Sequence, residues 1–250
     1  MLRCVLLVLG SLACVCILVA QESVDEATLK AWQEKAEQGH ADDMYRLGYY
    51  YSEMEYPDKE KAFQWFLKSA ENGSVEGEYV VGMCYLTEDG VERNVKEGVK
   101  WLKIAARHRN PEAQFVLAEG HIVGVGDDLK KDTKEALRLL KQAAGRNNRD
   151  ACHLLAMAYY LDCDWETADP DYKKRVIRLM INAANQDYCQ AQYFLAGMYF
   201  TDGDETIAQD MKKAFYWMAR LVEQDETLKH YIGSFHVFGH GCEVDVPPRD

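Results

Sequence analysis

Several side-chain groups in this sequence carry residue types that chemistry uses. His230, His236, His240 and Cys242 gather toward one end. His236 and His240 stand four apart, which would put two imidazoles on one helical face toward a zinc ion. A competing reading is that Gly239-His240-Gly241 has the form of a loop, which ends such a helix before its second ligand. Gly124-Val125-Gly126 has two glycines of a phosphate cradle but lacks the third and any strand before it, so an interhelical turn accounts for it. Asp162-Cys163-Asp164-Trp165-Glu166 begins like a calcium loop. However, Thr167 stands where the sharp turn needs Gly, and Lys173 where a closing Glu belongs. No Ser is followed three residues later by Lys, so the usual serine β-lactamase arrangement is absent. Spacing reveals no Ser-His-Asp or Cys-His set either. The expectation is a protein without catalytic residues, cofactor or metal.

Five cysteines follow residue 20: Cys84, Cys152, Cys163, Cys189 and Cys242. An odd number after export leaves at least one thiol unpaired or joined to another chain. Cys152 and Cys189 fall at the same end of one helix pair and form the expected disulfide. Cys163 lies about 15 Å from Cys152 along the helix, at about 1.5 Å per residue.

The elements that must position these residues repeat. One apolar column runs Leu47, Val81, Leu117, Leu155, Leu195 and Ile232, each followed by Gly or Ala. Four residues on come Tyr51, Tyr85, His121, Tyr159, Tyr199 and His236. A second column runs Trp65, Trp101, Leu139, Leu179 and Trp217, with a small or β-branched residue three positions earlier. Spacings of three and four place each set on one helical face. Asp58, Asn94, Asp132, Asp171 and Asp210 precede the second run of each unit, where N-caps belong. Gln38-Gly39-His40 and Asn72-Gly73-Ser74 recur at helix ends, and the latter is also a glycosylation sequon. Each unit is a helix, a loop, a second helix and a short turn. One pair cannot bury its apolar face alone, so the units must stack.

Composition narrows the function. There are 29 Lys and Arg against 41 Asp and Glu, a net charge of −12, which opposes a phosphate-backbone binder. A hydrophobic fraction of 48% and a charged fraction of 28% fit a folded chain. Arg3 followed by apolar Cys4 to Ala20 and then Gln21-Glu22-Ser23 reads as an export signal over residues 1–20, cut after Ala20. Retention as an anchor, or lipidation at Cys14, are the alternatives. Membrane association is expected only if this segment is retained or lipidated. Otherwise the chain is periplasmic or secreted. With Arg3 removed, 28 basic residues face 41 acidic ones, a mature charge of −13.

Val81-Gly82-Met83-Cys84-Tyr85-Leu86-Thr87-Glu88-Asp89-Gly90-Val91 resembles the first helix and loop of SEL-like repeats, the Sel-one-like branch of the tetratricopeptide superfamily. Leu117 to Gly126 resembles the same element, and Lys61 to Ala70 the second helix. The resemblance runs from about residue 27 to 245. It weakens over Leu161 to Asp169 and Thr201 to Gln209, which lack the Gly-x-Gly loop. It implies an all-α, right-handed superhelical solenoid over residues 21–245, with about five full repeats, partial units at both ends and a short tail over 246–250. It also implies a concave surface used for binding proteins, and no single activity. A cysteine-rich branch of the family is associated with β-lactam binding and weak hydrolysis. Cys152 matches its first-helix cysteine, but Ala184 stands at the partner position.

If first helices line the concave side, the stripe Tyr45, Tyr79, Phe115, His153 and Tyr193 belongs to it or to the inter-repeat core. Tyr49, Met83, Glu119 and Met157, four residues on along the same face, are the candidate contacts with a partner. The expected function is non-catalytic protein binding in the envelope or outside the cell, with a basic partner favoured by charge. An immunity or inhibitor protein acting on a secreted toxin, and a β-lactam-binding enzyme, are the alternatives.

Overall fold

The computed structural model describes residues 24–54, 56–165, 167–200 and 210–224. These contain eleven α-helices and no strand: α1 (Glu26–Glu37), α2 (Ala41–Glu53), α3 (Lys59–Glu71), α4 (Val75–Thr87), α5 (Val95–Arg107), α6 (Pro111–Val123), α7 (Thr133–Ala144), α8 (Arg149–Leu161), α9 (Pro170–Asn185), α10 (Cys189–Phe200) and α11 (Met211–Gln224). The main packing runs between helices consecutive in the chain. That is the arrangement of a solenoid, in which each pair buries its apolar stripe against the next. No described helix is long and apolar enough to cross a membrane.

Side-chain caps start the helices. Asp58, Asn94 and Asp132 accept from backbone amides of α3, α5 and α7, and Asp210 accepts from Lys213 N at the start of α11. The expected cap at Asp171 is corrected: Asp169 caps α9, accepting from Asp171 N at 2.8 Å and Tyr172 N at 3.3 Å. Pro170 explains the shift, because its ring fixes φ for the first helical position and lacks the donor that position leaves unused. A parallel set starts the first helices of the pairs. Ser74, Asn110 and Asn148 cap α4, α6 and α8. Each follows a residue of positive φ: Gly73, Arg109 and Asn147. The glycine of the first turns is thus replaced further along while the backbone geometry persists.

Within a pair the loop is clasped to the first helix. Asp58, Asn94, Asp132 and Asp210 donate their backbone N–H to the carbonyls of Tyr51, Tyr85, His121 and Tyr199. This is the aromatic or His column seen in the sequence. Gly124-Val125-Gly126 belongs to one such loop. Val125 and Leu129 exchange backbone hydrogen bonds, and buried Leu129 packs against Gly120. The segment therefore secures a loop rather than cradling a phosphate.

The small column after each apolar anchor lets helices touch closely. A Cβ added at Gly82 would lie 2.8 Å from Leu102 Cγ and 3.1 Å from Gly98 O; one at Gly48 would lie 2.6 Å from the Phe66 ring. Ala118, Ala156 and Ala196 hold the same place and are fully buried.

A second buried column lies three residues before each anchor: Met44, Glu78, Gln114, Cys152 and Gln192. Some members satisfy a carbonyl at the end of the preceding helix. Gln114 Nε2 donates to Ala106 O at 3.1 Å, Gln192 Nε2 to Ala184 O at 3.0 Å, and Cys152 Sγ to Ala144 O at 3.7 Å. Residues at or just after the end of the same unit's second helix reach back to this column. Asn72 Nδ2 meets Met44 Sδ at 3.6 Å, His108 Nδ1 meets Glu78 Oε2 at 2.8 Å, and Gln224 Nε2 donates to Gln192 Oε1 at 2.9 Å.

This column also corrects the expected disulfide. Cys152 and Cys189 do open α8 and α10, but no bond joins them. Cys152 is a buried free thiol bonded toward α7, with burial pushing its pKa up to about 11. Cys189 Sγ lies 3.0 Å from Gln224 Oε1, in the opposite direction along the solenoid. Sharing one end of the stack did not decide the pairing, because helical phase turns the two sulfurs to different neighbours.

Candidate protein-binding groove

The first helices of successive units and the turns that precede them enclose an open groove of ≈ 820 Å³. Its floor carries Tyr45, Tyr79, Met83 and Phe115, and its far wall Glu119 and the start of α8. The turns contribute His108, Arg109, Arg146 and Asn148 to the rim. The aromatic stripe is therefore shared between core and groove: Tyr79 and Phe115 are half-buried and pack against the core while lining the groove.

The four candidate contacts separate by exposure. Tyr49 is 56% exposed. Met83 is 8% exposed and lies mostly within the core, although it lines the groove. Glu119 is half-buried in the groove wall, and Met157 is half-buried against the core. In α10 the corresponding place is Gly197, and a Cβ added there would meet nothing within 4 Å.

The structure adds a feature the sequence reading passed over. Asp42, Glu76, Glu112 and Asp150 occupy the first turn of α2, α4, α6 and α8. Each lies five residues before its apolar anchor, so they form a ladder, and the last three line the groove. The spacing was available in the sequence. It was obscured because an acid in a first helical turn already complements the helix dipole. The ladder has an electrostatic consequence. Burial pushes the Tyr79 hydroxyl up to about 12, with Glu112 adding to the effect. Tyr45 and Tyr188 shift upward by burial first, then through Glu76 and Asp150 respectively. Burial, then Asp150, raises Glu119 to about 7, and burial lowers His153. Arg149 offsets part of this field, lying 3.8 Å from Asp150 and donating to Gln186 O.

Glu119 gives a check of this burial, to which Asp150 adds. Its pKa is raised from 4.5 to about 7 in the folded chain, so the fold binds the proton more tightly than the unfolded chain does. Wild-type stability should then fall as pH rises through that window. Glu119→Gln should melt with wild type below pH 4.5 and melt higher above about pH 7. A constant difference across this range in paired thermal melts would contradict the assignment.

His230, His236, His240 and Cys242 lie outside the described residues. Among the described residues no group of three or more His, Cys, Asp or Glu is arranged to hold a metal ion.

The repeat family described as Sel1 repeat matches residues 41–74, 75–110, 111–148 and 189–226. These are the pairs α2–α3, α4–α5, α6–α7 and α10–α11. The intervening pair α8–α9 has the same helical form but carries the loop without glycine. Similar solved structures include a Sel1 repeat protein of Oxalobacter formigenes, at 24% identity over 88% of this chain and 87% of that one, with a TM-score of 0.70. A protective antigen of uropathogenic Escherichia coli displaying an SLR fold matches at 26% identity over 86% of this chain and 45% of that one, with a TM-score of 0.63. An immunity protein of Pseudomonas aeruginosa matches at 20% identity over 89% and 80%, with a TM-score of 0.53.

Proposed function

The chain belongs to the Sel1 repeat family, whose units make up more than half of it, and we propose that it is an exported, non-catalytic binding protein whose groove takes up a basic segment of another protein. Sel1 repeat proteins typically mediate protein–protein interaction. The observation that carries the finer reading is the ladder Glu76, Glu112 and Asp150 above the half-buried Tyr79 and Phe115. An arriving Lys or Arg finds carboxylates at the spacing of the repeat and aromatic faces on which its stem and charge can rest. It also offsets the Asp150 charge that adds to burial in raising Glu119. Tyr49, exposed one turn beyond Tyr45, extends this surface along α2.

Capture from the native envelope fraction tests the proposal when wild type is compared with Glu76→Lys/Glu112→Lys. Both side chains are exposed, so the variant should fold while its groove repels cations. The expected result is a basic protein retained by wild type and lost with the variant. Its association should slow severalfold as salt shortens the screening length to about 8 Å. Equal retention by both baits would place the binding elsewhere. The similarity to an immunity protein supports a second reading, in which the basic partner is a toxin. Rescue of cells expressing a captured partner, by this chain and not by the variant, would select it.

A further inference from the structure

Charge in this solenoid is sorted by layer. Helices α4, α6 and α10 contain no Lys or Arg at all, whereas the second helices are rich in them. In α5 the exposed positions are Lys96, Lys100, Lys103 and Arg107, so every exposed side chain of that helix is a cation. Their steps of four, three and four keep them on one face over about 16 Å. In α7 the exposed charged residues are Lys134, Arg138 and Lys141, again all cations on one face. Lys130 and Lys131, exposed in the preceding loop, are offset there by exposed Asp127, Asp128 and Asp132. Acids temper it only partly. Glu97 pairs with Lys100 and Glu135 with Arg138, while Lys103 reaches the Asp128 carbonyl. Two shallow grooves beside α5, of ≈ 640 and ≈ 410 Å³, are bordered by Lys96, Lys103, Arg107 and Arg138, with Glu135 and Asp128 also in their walls. This patch lies on the layer opposite the acidic ladder, in a chain of net charge −12.

We infer that the outer face of α5 and α7 docks the protein on an anionic phospholipid surface, with the acidic groove turned away from it. The array is two helices wide rather than a single strip, so it suits a plane of headgroup phosphates. No large apolar side chain is exposed on α5 or α7, so the contact is electrostatic and involves neither insertion into the bilayer nor stacking on nucleic-acid bases. The acidic layer does not cancel the attraction. Two layers of helices place it roughly 20 Å from the surface, beyond the screening length of about 8 Å. The apolar run Cys4 to Ala20, read as an export signal, agrees with a chain that meets a membrane surface. This inference is independent of what the groove binds.

The test is flotation of the full chain with phosphatidylcholine vesicles, with and without phosphatidylglycerol. Any anchoring by the N-terminal segment is common to both vesicle types, so the difference between them reports the patch. Retention should be greater on the anionic vesicles and should fall as salt rises. Lys100→Gln/Lys103→Gln/Arg107→Gln should lower the anionic excess by up to about a hundredfold, at roughly fivefold per cation. Lys30→Gln/Lys35→Gln/Arg46→Gln removes the same charge elsewhere and should leave the excess unchanged. Equal retention on both vesicle types, or equal losses from the two triple variants, would overturn the proposal. Binding to duplex DNA as tight as to anionic vesicles at matched phosphate would also overturn it. All six substituted side chains are exposed, and circular dichroism of each variant confirms that a lost signal is not lost fold.

Discussion

Leu102→Ala is expected to destabilise the protein by about 2–5 kcal/mol, the range for emptying a fully enclosed leucine site. Leu102 has no exposed surface and lies where α5 presses on α4. The reason the site is so closed is Gly82. A Cβ there would fall 2.8 Å from Leu102 Cγ, well inside ordinary contact. Gly82→Ala alone should therefore cost about 1–3 kcal/mol by overpacking, less the ~1 kcal/mol that alanine gains over glycine within a helix. The two changes should not add. Once Leu102 is alanine, the new methyl at position 82 loses its clash with the leucine branch and keeps only the 3.1 Å approach to Gly98 O among those contacts, so the double variant should lose much less than the sum of the two single changes. Gly197→Ala supplies the contrast, since nothing stands within 4 Å of its added Cβ. There the helix preference acts unopposed and should raise stability by ~1 kcal/mol. Denaturant titrations of the four variants would decide the matter. Additive losses at 82 and 102 would mean that the small column is not what sets the helix approach.

The same residues show what the sequence could and could not reveal. Leu47, Val81, Leu117, Leu155 and Leu195 recur with a small residue behind them, and that pattern requires a close helix contact whatever the identity of the neighbour. Periodicity sees such a constraint because every unit repeats it. The N-caps were legible for the same reason except at Asp169, where Pro170 moved the helix start by a local rule that the repeat register does not contain. The Cys152–Cys189 pairing failed differently. The repeat correctly placed both residues at one end of the stack, but a disulfide depends on which neighbour each sulfur faces, and that is fixed by helical phase within each layer. The groove was legible as a stripe of aromatics and not as an electrostatic site. Its ladder of Glu76, Glu112 and Asp150 coincides with positions where a helix dipole already favours acids. Likewise, a net charge of −12 hides a predominantly cationic face, because composition averages over layers that only packing separates.

His108→Ala should cost about 2–3 kcal/mol, and that cost should fall to about 1 kcal/mol or less when Glu78 is changed to Gln. Glu78 is 3% exposed, and both its carboxylate oxygens meet His108 Nδ1, at 2.8 and 3.0 Å. Removing the imidazole leaves a buried carboxylate without that donor, and hydrogen bonds to charged groups are worth about 1.5–3 kcal/mol each. The other units show how the position works without a charge. Gln114 and Gln192 stand in the same column and give their amide protons to Ala106 O and Ala184 O, at the end of the preceding helix. The equivalent carbonyl for residue 78 is that of Ala70, to which a carboxylate has no proton to donate. Glu78→Gln therefore gains a donor for the preceding helix while keeping an oxygen that can accept from His108, as Gln192 does from Gln224, and its own effect should stay within about 1 kcal/mol. In that background the bond to half-exposed His108 is a neutral one, and its truncation should cost no more than about 1 kcal/mol. A double-mutant cycle measured by denaturant unfolding gives the coupling directly. If His108→Ala costs the same in the Glu78→Gln background as in the wild-type chain, the imidazole stabilises the turn by some other contact, and the column does not act as an interchangeable set of locks between units.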